Sequence, residues 1–589
     1  MAAPSSTRPA DLGAEPDPPV TPASKLFQIP RGVAPPFHPG TLRLLPEDVA
    51  GELDTPLVDA GSPRWTSGNL AEAFPGPMTV LSLEVSLNAM RAATDAFARM
   101  IPLAPELAEH SRHHMLGSLG HTIYINVACL AASSAQAGQT PEEFEHELFG
   151  APLPQGYQRP RRTAAQLAGL VRLGLAMGPR VAGLDRAITA HEQLARRRAD
   201  ESLRLDDLDA AALLARFEAL LEELSACWTA SNLATGLVSQ PMATLERRYG
   251  GEVARSARSG LDHLASAGAA NGVRMLAAAA AATAGGHAAL AEADPAARLA
   301  RLRRDEPALS AQLDAVLARY GHRGPGECEL SNLTYADDPA LLLDAVAKVV
   351  QRGDDIRADP VDAVTADLPR GAARLVGRTV AASQRRERGR DGATLLTHAV
   401  RRTARALGQR LVTAGLLHDA MDVFSLRREE LAATVAWLSA GSSDHPDLTA
   451  LVERRRKERQ RLIDLHLPVM LDGPWVPVTN ALATAGGRLT GIGASGGTAV
   501  GRVRVVRGTL TDLEPGEILV ARVTDVGWTP FFTVAGAVVT DAGGLMAHAA
   551  VVARELGIPA VVGTDVATEV LVDGQLVEVD GTAGTVTVL

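Results

Sequence analysis

The sequence predicts a multidomain protein of the α plus α/β class, a large mostly helical domain followed by a small α/β module. Three observations carry this expectation. The chain has 589 residues, enough for several domains. From about residue 61 to 470, apolar residues recur at three- and four-residue spacing. After about 489 the texture changes to short β-branched runs cut by Gly, Asp and Pro.

Composition bounds the function. Apolar residues make up 46% of the chain, so there is material for sizeable cores. A net charge of −10 and the lack of a basic block exclude a nucleic-acid binder. Cys129, Cys227 and Cys328 are widely spaced and form no CxxC pair or His/Cys cluster. This pattern predicts no metal site and fits a reducing cytoplasm. The most apolar run, "VRMLAAAAAATAGG", is too short for a membrane span.

In chain order, residues 1–60 hold "AEPDPPVTPAS" and "PRGVAPPFHPG" and read as a Pro-rich tail or linker without the apolar core of a secretion signal. Residues 61–470 read as the helical domain, with "LDDLDAAALLARFEALLEELSACW" and "AVRRTARALGQRLVTAGLL" as its clearest helices. Pro and Gly then cluster in a hinge linker, 471–488. Residues 489–589 form the α/β module, with strands in "TAVGRVRVV", "GEILVARV", "AGAVVTD", "PAVVGT" and "QLVEVDGTAGTVTVL".

One helix stands out in that module, within "DAGGLMAHAAVVARELGIPAVVG", residues 541–563. Gly543 and Gly544 permit backbone angles and close approaches that other residues resist. His548 follows at the expected helix start. The N–H groups and dipole there favour a negative group, and histidine is a competent nucleophile. A histidine that only caps or packs a helix start would also satisfy this local pattern.

The stretch resembles the phosphohistidine signature of the mobile domain of phosphoenolpyruvate-utilising enzymes. There Gly-Gly, a few residues and (Ser/Thr/Cys)-His-Ala precede "ARELGIPAV". "GASGGTAVGRVRVV", "GEILVARVTDVGWTP" and "VDGTAGTVTVL" fall in family order around it. The resemblance implies a swivelling β/β/α domain with His548 as phosphocarrier and Gly543 and Gly544 in its loop. Ala547 departs from the family's hydroxyl or thiol residue.

The larger domain is similar to one branch, the rifampin phosphotransferases and their phosphoenolpyruvate-synthase-like relatives. "RWTSGNLAEAFPGPMTVLS", "HTIYINVACL", "YGHRGPGECELS" and "GLLHDAMDVFSLRREEL" carry that resemblance. It implies a pocket for a bulky hydroxylated substrate. In "SQRRERGRDG", Arg386 and Arg390 are four residues apart, hence on one helical face. Paired guanidiniums suit phosphoryl oxygens, as a solvated basic face would equally explain the spacing. The resemblance implies a catalytic role for both, with Arg390 where lysine is usual. His322, Arg323 and Glu327, with Glu329, lie in a Gly/Pro loop and read as substrate-cleft residues or as a loop-stabilising salt bridge.

The resemblance also implies an ATP-grasp domain, yet no Gly-rich phosphate loop with a nearby lysine occurs here. The expectation is therefore the substrate-binding and phosphocarrier component of a split phosphotransferase. A separate ATP-grasp protein, with its own ATP and Mg, would charge His548, which passes phosphoryl to a hydroxyl of a small organic substrate. No cofactor is expected on this chain alone, nor a nucleic-acid or membrane partner. Two alternatives stand. One is an ATP-independent enzyme of specialised metabolism catalysing a cyclisation, elimination or condensation on the same scaffold. The other is a non-catalytic antibiotic-binding or regulatory phosphoprotein.

Overall fold

The computed structural model describes residues 41–59, 63–68, 70–100, 105–136, 139–140, 142–144, 164–236, 248–249, 265–352, 370–440, 448–465, 467–476, 486–507, 513–524, 528–544 and 547–589. The proline-dense part of the expected tail, 1–40, lies outside them. It is a multidomain α plus α/β protein.

The main helical body is organised around four long helices: α1 (Val80–Met100), α2 (Ala164–Glu201), α3 (Ala210–Gly236) and, later in the chain, α6 (Arg370–Thr413). Helix α6 packs along α3 and α2, and α1 lies against α3. Leu213, Phe217, Leu220 and Leu224 of α3 meet Leu396, Val400, Leu407 and Leu411 of α6 in one core. These positions are the three- and four-residue apolar spacing visible in the sequence, which puts one stripe of each helix inside. Between α3 and α6 a smaller helical group includes α4 (Ala265–Ala281) and α5 (Ala340–Arg352), which pack on each other.

Short strands close the body. β1 (Thr41–Leu42) pairs with β2 (Val58–Asp59), and a four-stranded antiparallel sheet runs in the order β4 (Leu116–Leu119), β5 (Thr122–Asn126), β3 (Arg64–Thr66), β6 (Met470–Asp472). β3 therefore joins the start of the body to its end, with Trp65 opposite Leu471.

Two boundaries differ from the sequence reading. Residues 41–59 are packed fold rather than tail: Leu44, Leu45 and Val58 share a core with Trp65, Tyr124 and Leu471. Asp54 fixes the segment by accepting from Ser118 Oγ and the backbone N–H groups of Gly120 and His121. The prolines that suggested a tail crowd before residue 41, and averaging over sixty residues concealed the change. At the other boundary, 470–472 is a strand of the body, while β7 (Arg488–Thr490) belongs to the C-terminal sheet. Residues 477–485 of the expected hinge lie outside the described residues.

The C-terminal module contains an eight-stranded mixed sheet. Its further strands are β8 (Ile492–Ser495), β9 (Thr498–Val506), β10 (Ile518–Ala521), β11 (Ala537–Thr540), β12 (Ala560–Val562), β13 (Leu576–Asp580) and β14 (Thr585–Val588). The order is β7-β14-β13-β9-β10-β11-β12-β8. β9 through β12 run parallel, and their neighbours on either side run antiparallel. "ILVA", "AVVT" and "AVV" are wholly buried, as central parallel strands covered on both faces must be. One face holds Val520, Val539, Val561 and Val579. The other joins Leu519, Phe531, Phe532 and Val538 to Leu276, Leu313 and Val346 of the smaller helical group.

Helix α8 (His548–Leu556) is the crossover between β11 and β12. It ends at Gly557, whose φ of 68° is the left-handed C-terminal cap that glycine accommodates. Among the described residues no helix is long and apolar enough to cross a membrane.

Candidate functional site

The site forms where α8 begins. β11 delivers the chain into the glycine turn, and Gly543 has φ 134°. A Cβ there would meet the Ala547 Cβ at 3.0 Å, so both backbone angle and space call for glycine. Gly544 has no such demand: its Cβ position faces open space. Ala547 is the N-cap, extended at φ −62°, ψ 152°, with no side chain able to bond the helix N–H groups. His548 is the first helical residue.

His548 is buried, 6% exposed, but its surroundings are not only apolar. The ring edge meets Phe532, centroid to centroid 5.9 Å. Burial pushes the imidazole pKa well below 6.5, and Arg390, Arg323 and Arg386 push in the same direction. The ring is therefore neutral at physiological pH, the form in which histidine is a nucleophile.

The helical body meets the start of α8 with an acid and three arginines. Glu72 Oε1 accepts a hydrogen bond from the backbone N–H of His548 at 3.0 Å. Burial raises the Glu72 pKa, while Arg390, Arg386 and the His548 N–H oppose the shift. Arg390 Nη2 donates to the Glu72 carbonyl at 2.9 Å, and its Nη1 lies 4.0 Å from the carboxylate. Arg386, one turn earlier on α6, is a quarter exposed with Nη1 3.5 Å from Glu387.

The loop residues singled out in the sequence form a buried network behind these groups. Arg323 Nη1 donates to both Glu327 oxygens, at 3.0 and 2.9 Å, and both side chains are 1% exposed. Arg323 Nη2 reaches Asp391 Oδ1 at 2.5 Å, and His322 Nε2 lies 3.2 Å from the same oxygen. Asp391 is partly buried, which would raise its pKa, but Arg323 and His322 hold its carboxyl well below the usual range. Glu329 turns elsewhere, accepting from Thr79 and Ser82.

The geometry thus gathers His548, Arg390, Arg386 and Arg323 into one electrostatic environment, with His322 and Glu327 one layer behind. Two buried guanidinium N–H groups of that set, Arg390 Nε and Arg323 Nε, have no acceptor among the described residues. Such groups are costly to leave unmet, and an anionic oxygen would satisfy them.

Sequence reasoning passed over three members. Glu72 lies in "GNLAEAFPGP", quoted only for its resemblance; Asp391 hides beside a run of arginines. The third, Arg522 of the C-terminal module, donates to Ser67 Oγ at 2.9 Å and to Tyr124 Oη at 3.0 Å. Tyr124 is a buried packing residue, yet its hydroxyl is also a docking contact.

Comparison with known proteins agrees with this division. Residues 513–584 match the mobile domain of PEP-utilising enzymes, and residues 223–410 match the rifampicin phosphotransferase fourth domain. An uncharacterized Mycobacterium tuberculosis protein is 35% identical over 571 residues, covering 92% of this chain and 63% of that protein. A prodigiosin synthesizing transferase, PigC, of Serratia marcescens is 33% identical over 294 residues, 46% of this chain and 32% of its own. A rifampicin phosphotransferase of a Streptomyces species is 32% identical over 301 residues, 47% of this chain and 34% of its own. The chain thus spans under two thirds of the length of these relatives.

Proposed function

Since the chain belongs to the rifampicin phosphotransferase-like family, we propose that it is the substrate-binding and phosphocarrier component of a phosphotransferase. A separate ATP-grasp protein charges His548, using its own ATP and Mg. The module then presents the phosphoryl group at the arginine cluster, where a hydroxyl of a small organic substrate attacks. The P–N bond to the imidazole breaks as the new P–O bond forms, and the hydroxyl proton ends on the imidazole. Arg390 and Arg386 hold the phosphoryl oxygens, and Arg323 adds positive charge from behind. Preorganised donors of this kind stabilise phosphoryl transfer without a covalent role.

The observation that carries this reading is the neutral His548 at a helix N-terminus beside buried arginine N–H groups that lack an acceptor among the described residues. The His322–Asp391–Arg323–Glu327 network serves the substrate side by fixing Arg323 in place.

A second reading is favoured by the similarity to a prodigiosin synthesizing transferase and by Ala547, which removes the usual hydroxyl beside the carrier histidine. In it the same site carries out a cyclisation, elimination or condensation without ATP. Labelled ATP and the cognate ATP-grasp protein separate the two. A carrier yields an acid-labile, base-stable protein phosphate that His548→Ala abolishes. Substrate conversion without ATP and without that label overturns the phosphotransferase reading.

A further inference from the structure

Helix α8 starts without a capping side chain of its own. Its N-cap is Ala547, and the N–H of His548 is satisfied from the other domain by Glu72. An N-cap serine, threonine, aspartate or asparagine would serve the N–H groups of the second and third helical residues, so the first N–H, that of His548, takes its acceptor from elsewhere. Glu72 is in turn held from the body side, since Arg390 donates to its carbonyl and faces its carboxylate. Thr79 and Ser82 lie just beyond, tied to Glu329, so the segment carrying Glu72 is anchored at its far end.

We propose that Glu72 is the positioning residue for the His548 module, supplying from the helical body an acceptor for the first N–H of a helix whose N-cap, Ala547, bonds none, and so seating the unphosphorylated module. A carboxylate and a phosphoryl group call on the same donors, the opening N–H groups of a helix and an arginine fork. Glu72 is thus an alternative occupant of the donors that would steady a phosphoryl group on His548. When that group leaves with the substrate, Glu72 keeps the helix start satisfied and the module in register. The charged groups facing it are Arg390, Arg386 and Glu387, together with the α8 N-terminus. The functional consequence rests on the carrier reading of His548, but the capping contact does not.

The test is amide hydrogen exchange on the purified full chain without ATP, so that it is independent of phosphoryl transfer. Glu72→Ala is expected to speed exchange at residues 548–550 roughly five- to tenfold, the equivalent of one lost cap. Amides of β10 should be unaffected. Ala547→Ser can accept only from the second and third helical residues, so it should slow exchange at 549–550 in both backgrounds and leave the 548 amide fast in Glu72→Ala. Glu72→Gln, which keeps an acceptor oxygen, should fall between and covers the case in which the alanine variant unfolds. Unchanged exchange at residue 548 in both Glu72 variants, or full recovery of that amide by Ala547→Ser, overturns the proposal.

Discussion

Glu72 Oε1 lies 3.0 Å from the backbone nitrogen of His548, a hydrogen bond between residues 476 apart in sequence. It joins the two halves of the protein at the point where the only strongly perturbed imidazole of the C-terminal module faces the arginines of the body. On the proposed carrier reading this is a histidine presented at a receiving site, and its members can be dissected one at a time.

His548→Gln keeps polarity and approximate size but removes the nucleophilic ring. The variant should fold, acquire no phosphate from the ATP-grasp protein, and fail to turn over substrate. Turnover at the parental rate would remove His548 from the chemistry altogether.

Arg386→Ala and Arg390→Ala should each lower kcat by about 10²- to 10³-fold, the scale of a single preorganised donor to developing charge. Their stabilities should diverge. Arg386 is a quarter exposed, and its loss should cost under ~1 kcal/mol. Arg390 is buried and bonded to the Glu72 carbonyl, so its removal should cost about 1.5–3 kcal/mol. Kinetics and denaturant titration on the same samples check both.

Glu327→Ala leaves Arg323 as a buried cation paired only with Asp391. Breaking a buried ion pair from one side costs about 3–5 kcal/mol. Loss of activity in this variant should therefore follow loss of fold, visible as a lowered denaturation midpoint. A catalytic defect with a parental midpoint would instead place Glu327 in contact with substrate.

The depressed pKa of His548 has a sign that can be read in stability. Below about pH 6.5 the unfolded chain binds a proton that the folded ring refuses, so this group's contribution to stability falls as pH drops through that value. His548→Gln should flatten the decline of Tm between about pH 6.5 and 5, a window set by the ordinary histidine value. Asp391 acts in a lower window: its stabilisation is present above the ordinary aspartate value of 3.8 and is lost as pH falls below it.

Gly543→Ala and Gly544→Ala form a matched pair. The first forces a side chain into φ 134° and against Ala547, and should cost about 1–3 kcal/mol. The second meets open space and should leave Tm within experimental error.

Much of the fold was legible because it depends on local patterns. The apolar spacing in 205–228 and 399–417 became α3 and α6, and the unbroken runs at 518–521 and 537–540 became buried parallel strands. His548 was legible because its glycine turn and helix pattern lie within a few residues of it. Glu72 was not, because nothing within its own segment records that a helix start almost five hundred residues later lacks a cap. Asp391 was hidden by its neighbours, since a run of arginines reads as a solvated face until one residue is seen to turn inward to Arg323 and His322. The packing of 41–59 depended on Trp65, Tyr124 and Leu471 arriving from three distant segments.

The pairing of β3 with β6 has a consequence for how strongly the module must bind. Because the end of the body is stitched to its beginning, the tether to the module leaves from a fixed point, and residues 473–487 span at most about 50 Å when extended. A partner on so short a lead experiences an effective concentration of order millimolar. The docked arrangement then needs only weak intrinsic affinity to be populated. The apolar face that Leu519, Phe532 and Val538 share with Leu276, Leu313 and Val346 supplies the attraction, and the polar contacts of Glu72 and Arg522 choose the register of the pose.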